Sequence, residues 1–263
     1  MRTAVADIGN TAIPICGIAV MAKASIAGRS KTRLVPPLTF EEAAQCNTAF
    51  LRDIADNILA ASAQASIAGY VAFGPPRARR FFQEHLPEEI GLIEAWYPNF
   101  GDCLFCAIAQ LVERGHRAAV VLNSDSPTLP TSLLVDTAEV LARPGDRAVL
   151  GPALDGGYYL LGLKAKHHRL FEDIAWSTER VAQQTLERAA ELDLPVHMLP
   201  TWYDVDDVAG LKMLHAELFD GRSFAPDLCP PQPRRTRALI QALVESSDLK
   251  DRLSLNALRR AAE

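Results

Sequence analysis

Short, continuously apolar segments alternate with helical segments along most of the chain, and this alternation limits the folds that the chain can adopt. The segment 118–123 is an example, since it is apolar almost throughout and lies between Gly115 and a proline-containing loop. Strands of this kind are buried on both faces and occur in mostly parallel sheets that helices cover on each side. We therefore predict an α/β fold, namely a three-layer α/β/α sandwich with a mostly parallel mixed sheet.

Individual elements follow from local signals. Thr39 and Glu42 form a capping box, and Phe50, Ile54 and Ile58 follow at helical spacing, which predicts a helix that begins after Thr39. The other predicted helices are 77–85, 103–114, 131–141, 178–191, 206–218 and 235–244. The predicted strands are 15–22, 66–73, 91–94, 118–123, 148–153, 158–163 and 196–199.

The chain is long enough to bury a sizeable core, since it has 263 residues, of which 49% are hydrophobic and 22% are charged. The segment 223–233 is rich in proline, which is typical of a linker. We predict one α/β domain over 1–222, followed by a proline-rich linker and a C-terminal helical tail over 223–263.

Charge and hydropathy exclude several classes of protein. The net charge is −5, whereas nucleic-acid binding needs a broad basic surface. The sequence has no apolar stretch of the roughly 18–20 residues that a membrane span needs. Residues 1–7 do not resemble a signal peptide, and the five cysteines are scattered, as in proteins that keep reduced thiols. We therefore expect a cytoplasmic protein with a small-molecule ligand.

The basic stretch 22–34 directly follows the first apolar strand. It carries the cations Lys23, Arg29, Lys31 and Arg33, and positions 8–40 hold no acidic residue. A strand that opens into a basic, glycine-containing loop is a common phosphate site, because backbone N–H groups and cations converge there. The alternative is a solvated basic loop. A Walker A loop is excluded, since no Gly-x-x-x-x-Gly precedes Lys31.

Acidic motifs follow two of the predicted strands. Asp125 comes after the strand 118–123, while Asp204 and Asp206 come after the strand 196–199. Carboxyl ends of strands in such sheets form ligand sites, and carboxylates facing a basic loop could hold a divalent cation together with phosphate. The alternative is that Asp206 or Asp207 caps the helix that follows.

Three other features have competing interpretations. Gly156 and Gly157 permit a close approach to a ligand, but a plain hairpin turn explains them almost equally well. Trp176-Ser-Thr178 is either part of a site or the start of a helix with a Ser or Thr cap. Cys103 and Cys106 form a C-x-x-C on a predicted helix without a second ligand pair, so we interpret them as structural cysteines.

Five motifs occur in the order that is found in a known family. They are Met21-Ala-Lys23 with Gly28-Arg-x-Lys-Thr-Arg-Leu34, Asp125-Ser-Pro-Thr-Leu-Pro130, Gly151-Pro-Ala-x-Asp-Gly-Gly-Tyr158, Trp176-Ser-Thr178 and Asp204-Val-Asp206. On these motifs the chain resembles the bacterial radical-SAM/selenodomain-associated transferase group, a domain-of-unknown-function family in the nucleotide-diphospho-sugar transferase (GT-A) superfamily. The resemblance implies a nucleotide held over the first strand, loop and helix, and a metal at the Asp-x-Asp-type loop.

The motifs and the resemblance together give the expected site. Nucleotide contacts are expected from Ala22, Lys23, Gly28, Arg29, Lys31, Thr32, Arg33 and Ser124. Mg²⁺ or Mn²⁺ is expected on Asp125, Asp204 and Asp206. Acceptor contacts are expected from Gly156, Gly157, Tyr158, Trp176, Ser177 and Thr178. In catalysis, Arg33 and Lys31 would neutralise phosphate charge, and Asp155 is a candidate base by its position alone.

The expected activity is glycosyl or nucleotidyl transfer from a nucleotide-sugar or nucleoside triphosphate to a small acceptor. Phosphoenolpyruvate and phospholactate guanylyltransferases share the layout, so a guanylyltransferase acting on a small phosphorylated acid is an alternative. Asn123 stands where many glycosyltransferases have the first aspartate of Asp-x-Asp. This favours nucleotidyl transfer, unless Asp204 or Asp206 supplies the missing ligand. A non-catalytic nucleotide-binding protein on the same fold is the remaining alternative.

Overall fold

The structure is a computed structural model that describes residues 13–246, 249 and 251–253. Residues 1–12, on which the expectation about a signal peptide rests, lie outside the described residues. The strands are β1 Cys16–Lys23, β2 Ile67–Gly74, β3 Gly91–Glu94, β4 Ala118–Leu122, β5 Ala148–Pro152, β6 Tyr158–Leu163 and β7 Val196–Met198. The helices are α1 Phe40–Ser62, α2 Arg79–His85, α3 Phe100–Glu113, α4 Thr131–Ala142, α5 Val181–Glu191, α6 Val208–Phe219 and α7 Arg234–Ser246. Short 3₁₀ helices cover Thr32–Leu34, Pro76–Ala78 and His168–Phe171.

The seven strands form one sheet in the order β3-β2-β1-β4-β6-β5-β7. All neighbouring pairs are parallel except β4 with β6 and β5 with β6, which are antiparallel. The predicted α/β class and mostly parallel mixed sheet are therefore confirmed. Because β6 runs against its neighbours, its first residue lies at the edge where the parallel strands end.

Successive residues of β1 point to opposite faces of the sheet and enter two separate cores. Ile18 and Val20 are fully buried in the core that includes residues of α1, α4, α6 and α7. Ala19 is buried in the second core, to which α3 and α5 contribute. Helices thus cover both faces, which explains why the strand is apolar throughout rather than alternating.

Side-chain caps fix where several helices begin. The predicted capping box is present, since Thr39 Oγ1 accepts from Glu42 N at 3.2 Å and the Glu42 carboxylate accepts from Thr39 N at 2.7 Å. Helix α3 begins at Phe100, three residues before its predicted start, because Asn99 caps it. The predicted start of the helix at 206 is wrong, because Asp207 is the N-cap of α6 and accepts from Gly210 N at 2.9 Å.

The C-terminal helix α7 lies against α1. Asp53 on α1 is 5% exposed, and its two carboxylate oxygens accept from Arg235 N at 3.1 Å and Thr236 N at 2.7 Å. These backbone groups belong to the first turn of α7, where a helix lacks internal acceptors. The segment 223–233 that precedes α7 contains no helix or strand. Its role as a linker stays a prediction.

Cys103 and Cys106 lie on α3 as predicted, and both are free thiols. Cys103 is buried and its sulfur accepts from Tyr97 N at 3.3 Å. Among the helices of the described ranges, none is long and apolar enough to cross a membrane.

Candidate functional site

A cavity of about 420 Å³ opens at the edge of the sheet where the parallel strands end. Lys23 at the end of β1, Gly74 at the end of β2 and Asn123 after β4 all line it, and so does Tyr158 at the start of β6. Ligands of open α/β sheets bind at this edge, since loops from several strands meet there. The topology therefore gathers residues that are far apart in the sequence around one cavity.

Ten of the residues expected from the sequence line the cavity. They are Ala22, Lys23, Arg29, Lys31, Thr32, Arg33, Ser124, Asp125, Tyr158 and Asp206. The others lie outside its lining: Gly28, Asp155, Gly156, Gly157, Trp176, Ser177, Thr178 and Asp204. The binding and catalytic roles expected of both groups stay predictions.

The basic loop after β1 is folded by a tight local turn. Both Arg29 N and Ser30 N donate to Ile26 O, and the buried Ser30 hydroxyl accepts from Ile26 N at 2.9 Å. This turn leaves the side chains of Arg29 and Arg33 exposed at the cavity. In the part of the chain that the structure describes, neither guanidinium forms an ion pair within the protein. Both therefore remain available to an anion.

The ammonium of Lys31 has hydrogen-bond acceptors inside the protein. Its ammonium lies 2.6 Å from Asp125 Oδ1 and 2.9 Å from Asp206 Oδ1, and it donates to Val205 O at 2.9 Å. These three acceptors match the three N–H groups of an ammonium. Phe50 adds a cation–π contact, with 5.4 Å from the nitrogen to the ring centroid. The side chain is only 4% exposed.

The backbone of Lys31 is also unusual. Its φ is 52°, in the left-handed region that non-glycine residues rarely adopt. Such a conformation costs of order 1–3 kcal/mol and persists where surrounding contacts hold it. The ion pairs with Asp125 and Asp206 are contacts that hold it here.

Opposing effects act on the ionisable groups of this cluster. Burial alone would lower the pKa of Lys31, but the attraction of Asp125 and Asp206 outweighs it and leaves the pKa raised. Burial likewise opposes ionisation of Asp206, yet the neighbouring Lys31 holds the pKa of Asp206 below its ordinary value. Lys31 therefore stays an ammonium and Asp206 a carboxylate at neutral pH.

Asp204 is in a different state. Burial raises the pKa of Asp204 to about 7, and the negative charges of Asp155, Asp206 and Asp125 act in the same direction. The carboxyl group thus lies within electrostatic reach of both predicted acidic motifs. A cation that entered between these acids would be attracted by all of them.

The described residues include no group of three His, Cys, Asp or Glu side chains placed to hold a metal ion. Two carboxylate oxygens and Val205 O nevertheless converge on one point, which the Lys31 ammonium takes. Oxygen donors of this kind are the ligands that Mg²⁺ and Mn²⁺ prefer. The donor set therefore fits a divalent cation in its chemistry, on the condition that Lys31 releases the oxygens.

The turn 153–157 is a hairpin between β5 and β6. Ala153 N donates to Gly157 O at 3.0 Å, and Asp155 Oδ1 accepts from Gly157 N at 2.8 Å. Gly156 has a φ of +87°, and a Cβ there would lie 2.1 Å from Glu179 O. Gly156 is thus explained by the turn and by its close packing against the segment before α5.

Trp176-Ser-Thr178 precedes α5 without capping it. Helix α5 begins at Val181 rather than at the predicted residue 178, and no side chain caps its N-terminus. Trp176 instead packs edge-on against Phe100, with 5.4 Å between the ring centroids. Since Phe100 lines the cavity, this motif supports one of the cavity walls.

Sequence reasoning missed the aromatic wall of the cavity. Trp96 and Phe100 line it, and about half of each side chain is exposed, 52% and 49%. Both follow β3, which ends at the same edge of the sheet. The aromatic residues clustered in 96–100 are the signal that could have identified this wall.

Comparison with known proteins gives a partial family match. Residues 57–178 match the family described as "Uncharacterized protein conserved in bacteria (DUF2064)". The matched range includes Asp125 and Tyr158, but it excludes the basic loop and Asp206. No curated protein matches the sequence.

Solved structures give a broader likeness. A "putative nucleotide-diphospho-sugar transferase" from Desulfovibrio desulfuricans is 25% identical, with a TM-score of 0.74 over 88% of this chain and 95% of that one. A CMP:2-keto-3-deoxy-manno-octonic acid synthetase complexed with CTP is 12% identical, with a TM-score of 0.50 over 79% of this chain and 99% of that one. A cytidylyltransferase from Leptospira borgpetersenii is 9% identical, with a TM-score of 0.50 over 89% of this chain and 96% of that one.

The second and third of these structures share the fold alone with this chain. The first supports the nucleotide-diphospho-sugar transferase superfamily that the sequence motifs indicate. The predicted enzyme class, a transferase, agrees with the first of them.

Proposed function

We propose that this protein is a nucleotide-dependent transferase that moves a glycosyl or nucleotidyl group from a nucleotide-sugar or nucleoside triphosphate to a small acceptor. One observation carries the proposal: Arg29 and Arg33, which form no ion pair among the described residues, line the same cavity as the carboxylates Asp125 and Asp206. Phosphate needs cations, and a divalent ion that accompanies phosphate needs oxygen ligands. Within the superfamily, the sequence motifs favour the radical-SAM/selenodomain-associated group.

Arg29 and Arg33 would bind the phosphates of the donor. A guanidinium forms two parallel hydrogen bonds with phosphate oxygens, and both side chains are free of competing ion pairs in the described structure. Lys23 at the end of β1 would add a further positive charge. In this cavity the positioned cations would neutralise charge that develops on the leaving phosphate.

Asp125, Asp204 and Asp206 would hold Mg²⁺ or Mn²⁺ when the nucleotide binds. The ion would act as a Lewis acid on phosphate oxygens. The Lys31 ammonium would then leave Asp125 and Asp206 and pair with the phosphates instead. Asp155 remains the proposed base by position, and a phosphate or carboxylate acceptor would need none.

A nucleotidyl transfer to a small phosphorylated acid, as in guanylyltransferases, is the second candidate. The observation that favours it is Asn123, which lines the cavity where many glycosyltransferases carry an aspartate. The amide of Asn123 adds no negative charge beside the phosphates. A carboxylate there, in addition to Asp125, would need further positive charge to balance it.

The test is nucleotide binding by calorimetry in the presence of Mg²⁺, with ATP, GTP, CTP, UTP and UDP-glucose as probes. Arg33→Ala should lower the affinity for the probe that wild type binds most tightly by about 10–150-fold. The reason is that hydrogen bonds to charged groups contribute roughly 1.5–3 kcal/mol. Arg117→Ala is the matched control, because Arg117 is exposed and precedes β4 at the opposite edge of the sheet. Equal affinities of wild type and Arg33→Ala would refute the proposed role of the basic loop.

Catalysis is tested separately by release of product from the selected nucleotide. A protein that binds the nucleotide tightly but releases no product with any phosphorylated acid or sugar would be the non-catalytic alternative.

A further inference from the structure

Two buried polar atoms beside the cavity have no hydrogen-bond partner among the described residues. They are Asn123 Oδ1 and the Tyr158 hydroxyl. Both residues line the cavity. A buried polar atom without a partner costs free energy, so native proteins pair nearly all such atoms. Two of them at the wall of one cavity indicate that their partner is a ligand.

The sheet places the two residues side by side. Asn123 directly follows β4, and its backbone N–H donates to Tyr159 O at 2.8 Å. Tyr158 is the first residue of β6, the antiparallel neighbour of β4. Tyr158 thus lies on a strand and Asn123 is hydrogen-bonded to that strand, and a rigid support favours selective binding.

The hydrogen bonds around Asn123 fix the orientation of its amide. Ser126 Oγ donates its single proton to Tyr203 O at 2.9 Å. It must therefore accept from Asn123, whose Nδ2 lies 3.1 Å away. The amide oxygen is consequently the atom left without a partner, and it can only accept a hydrogen bond. An organic ligand group opposite Asn123 must therefore be a hydrogen-bond donor.

Tyr158 supplies the complementary chemistry. Burial raises the pKa of Tyr158, so its hydroxyl keeps its proton and can both donate and accept. Phosphate and carboxylate groups cannot donate to Asn123 Oδ1 when ionised. Hydroxyl groups can donate to Asn123 and accept from Tyr158, and Met21 and Leu122 give the cavity apolar surface for a carbon ring.

We propose that Asn123 and Tyr158 form a hydroxyl-recognition pair that binds the hydroxyl groups of a sugar ring in the ligand. The inference rests on the proposed function and names the chemistry that part of the site recognises. The sugar ring could belong to the ribose of the nucleotide or to the sugar of a nucleotide-sugar. The shared chemistry is a ring that carries neighbouring hydroxyl groups.

The experiment compares wild type with Tyr158→Phe by calorimetry. The probes are the ribonucleotide that wild type binds best, its 2′-deoxy and 3′-deoxy forms, and UDP and UDP-glucose. Tyr158→Phe should bind the hydroxylated probe at least tenfold more weakly than wild type does. It should bind the probe that lacks the recognised hydroxyl as wild type does. The ribose arm and the UDP-glucose arm show which sugar the pair contacts.

Tyr159→Phe is the matched control. The Tyr159 hydroxyl already donates to Pro200 O at 3.0 Å, so its removal should lower the melting temperature without changing the preference for hydroxylated probes. Tyr158→Phe should not lower the melting temperature of the ligand-free protein, because the hydroxyl it removes has no partner in the described structure. This second readout separates a ligand-binding role from a structural one.

Two results would overturn the inference. If Tyr158→Phe and wild type discriminate equally between hydroxylated and deoxy probes while Arg33→Ala loses affinity, the inference fails and the proposed function stands. If wild type binds none of the hydroxylated probes, both fail together.

Discussion

The ammonium of Lys31 lies 2.6 Å from a carboxylate oxygen of Asp125, although 94 positions separate the two residues (125 − 31). The contact joins the basic loop to the loop after β4, and Asp206 adds the loop before α6. The sequence suggests cations that face a set of acids across a cavity. The structure shows instead that one cation is already neutralised by two of the acids, whereas Arg29 and Arg33 remain unpaired among the described residues.

Lys31→Met should destabilise the protein by about 3 kcal/mol, because it leaves two partly buried carboxylates without their cation. Lys23→Met is the control, since Lys23 is exposed and its loss should change the free energy of unfolding by less than about 0.5 kcal/mol. Urea unfolding of both variants with EDTA measures the difference.

A divalent cation should substitute for the lost ammonium. In the presence of Mg²⁺ or Mn²⁺, the melting temperature of Lys31→Met should rise more than that of wild type, because ligands that bind only the native state stabilise it. Equal shifts in the two proteins would show that Asp125 and Asp206 do not bind the ion.

Asp204→Asn should stabilise the protein above neutral pH. The pKa of Asp204 is raised from 3.8 to about 7, so the native state disfavours the charged form that the unfolded state adopts above pH 4. The resulting penalty is absent below about pH 4, grows as the pH rises to about 7 and is constant above that. Solvent around this partly buried group limits the expected gain at pH 8 to about 1–2 kcal/mol.

The measurement is the stability of wild type and Asp204→Asn at pH 5 and pH 8, with EDTA present. Most of the gain should disappear at pH 5. Asp227→Asn, at an exposed position in the segment 223–233, is the control. A gain that is the same at both pH values would contradict the raised pKa.

Gly156→Ala should destabilise the protein by about 3 kcal/mol or more, because the new Cβ would lie 2.1 Å from Glu179 O and the φ is +87°. Gly145→Ala has nearly the same φ, +86°, but the nearest atom to its Cβ is the Arg147 side chain at 3.6 Å. It should therefore cost only about 1 kcal/mol. Denaturant unfolding of both variants separates backbone strain from the steric clash.

Asp53→Ala should detach α7 from α1, since it removes the acceptor of two backbone N–H groups in the first turn of α7. The expected loss is about 2–3 kcal/mol, which combines a helix cap with a buried charged acceptor. Asp56→Ala removes an exposed partner of Arg235 and should cost less than about 1 kcal/mol. Hydrogen exchange of α7 amides, faster in Asp53→Ala alone, is the readout.

Local signals were sufficient to predict most of the fold. The capping box at Thr39 and the apolar strands depend on neighbours in sequence, and each appears in the structure near its predicted position. Helix α6 begins two residues after its predicted start. Either of the adjacent aspartates could have been the N-cap, and only the backbone conformation shows that it is Asp207. Asp206 is thereby left free to meet Lys31.

The finer arrangement of the site depends on contacts that no local pattern contains. The sequence identified the charged residues, but the pairing of Lys31 with Asp206 spans 175 positions. The aromatic wall formed by Trp96 and Phe100 requires β3 to end beside β2. The interpretation of Gly156 likewise depends on the approach of Glu179, which follows from the packing of α5.

The acceptors of the Lys31 ammonium leave the ribosome at different times during synthesis. Lys31 reaches the Val205 carbonyl across 174 positions, and Val205 N in turn donates to Asp125 O. During synthesis the ribosome therefore releases β1, the basic loop and the loop after β4 well before the segment that holds them together. Until that segment leaves the exit tunnel, the Lys31 ammonium lacks two of its three acceptors, Val205 O and Asp206 Oδ1. A chain truncated before residue 205 could pair this ammonium with Asp125 alone.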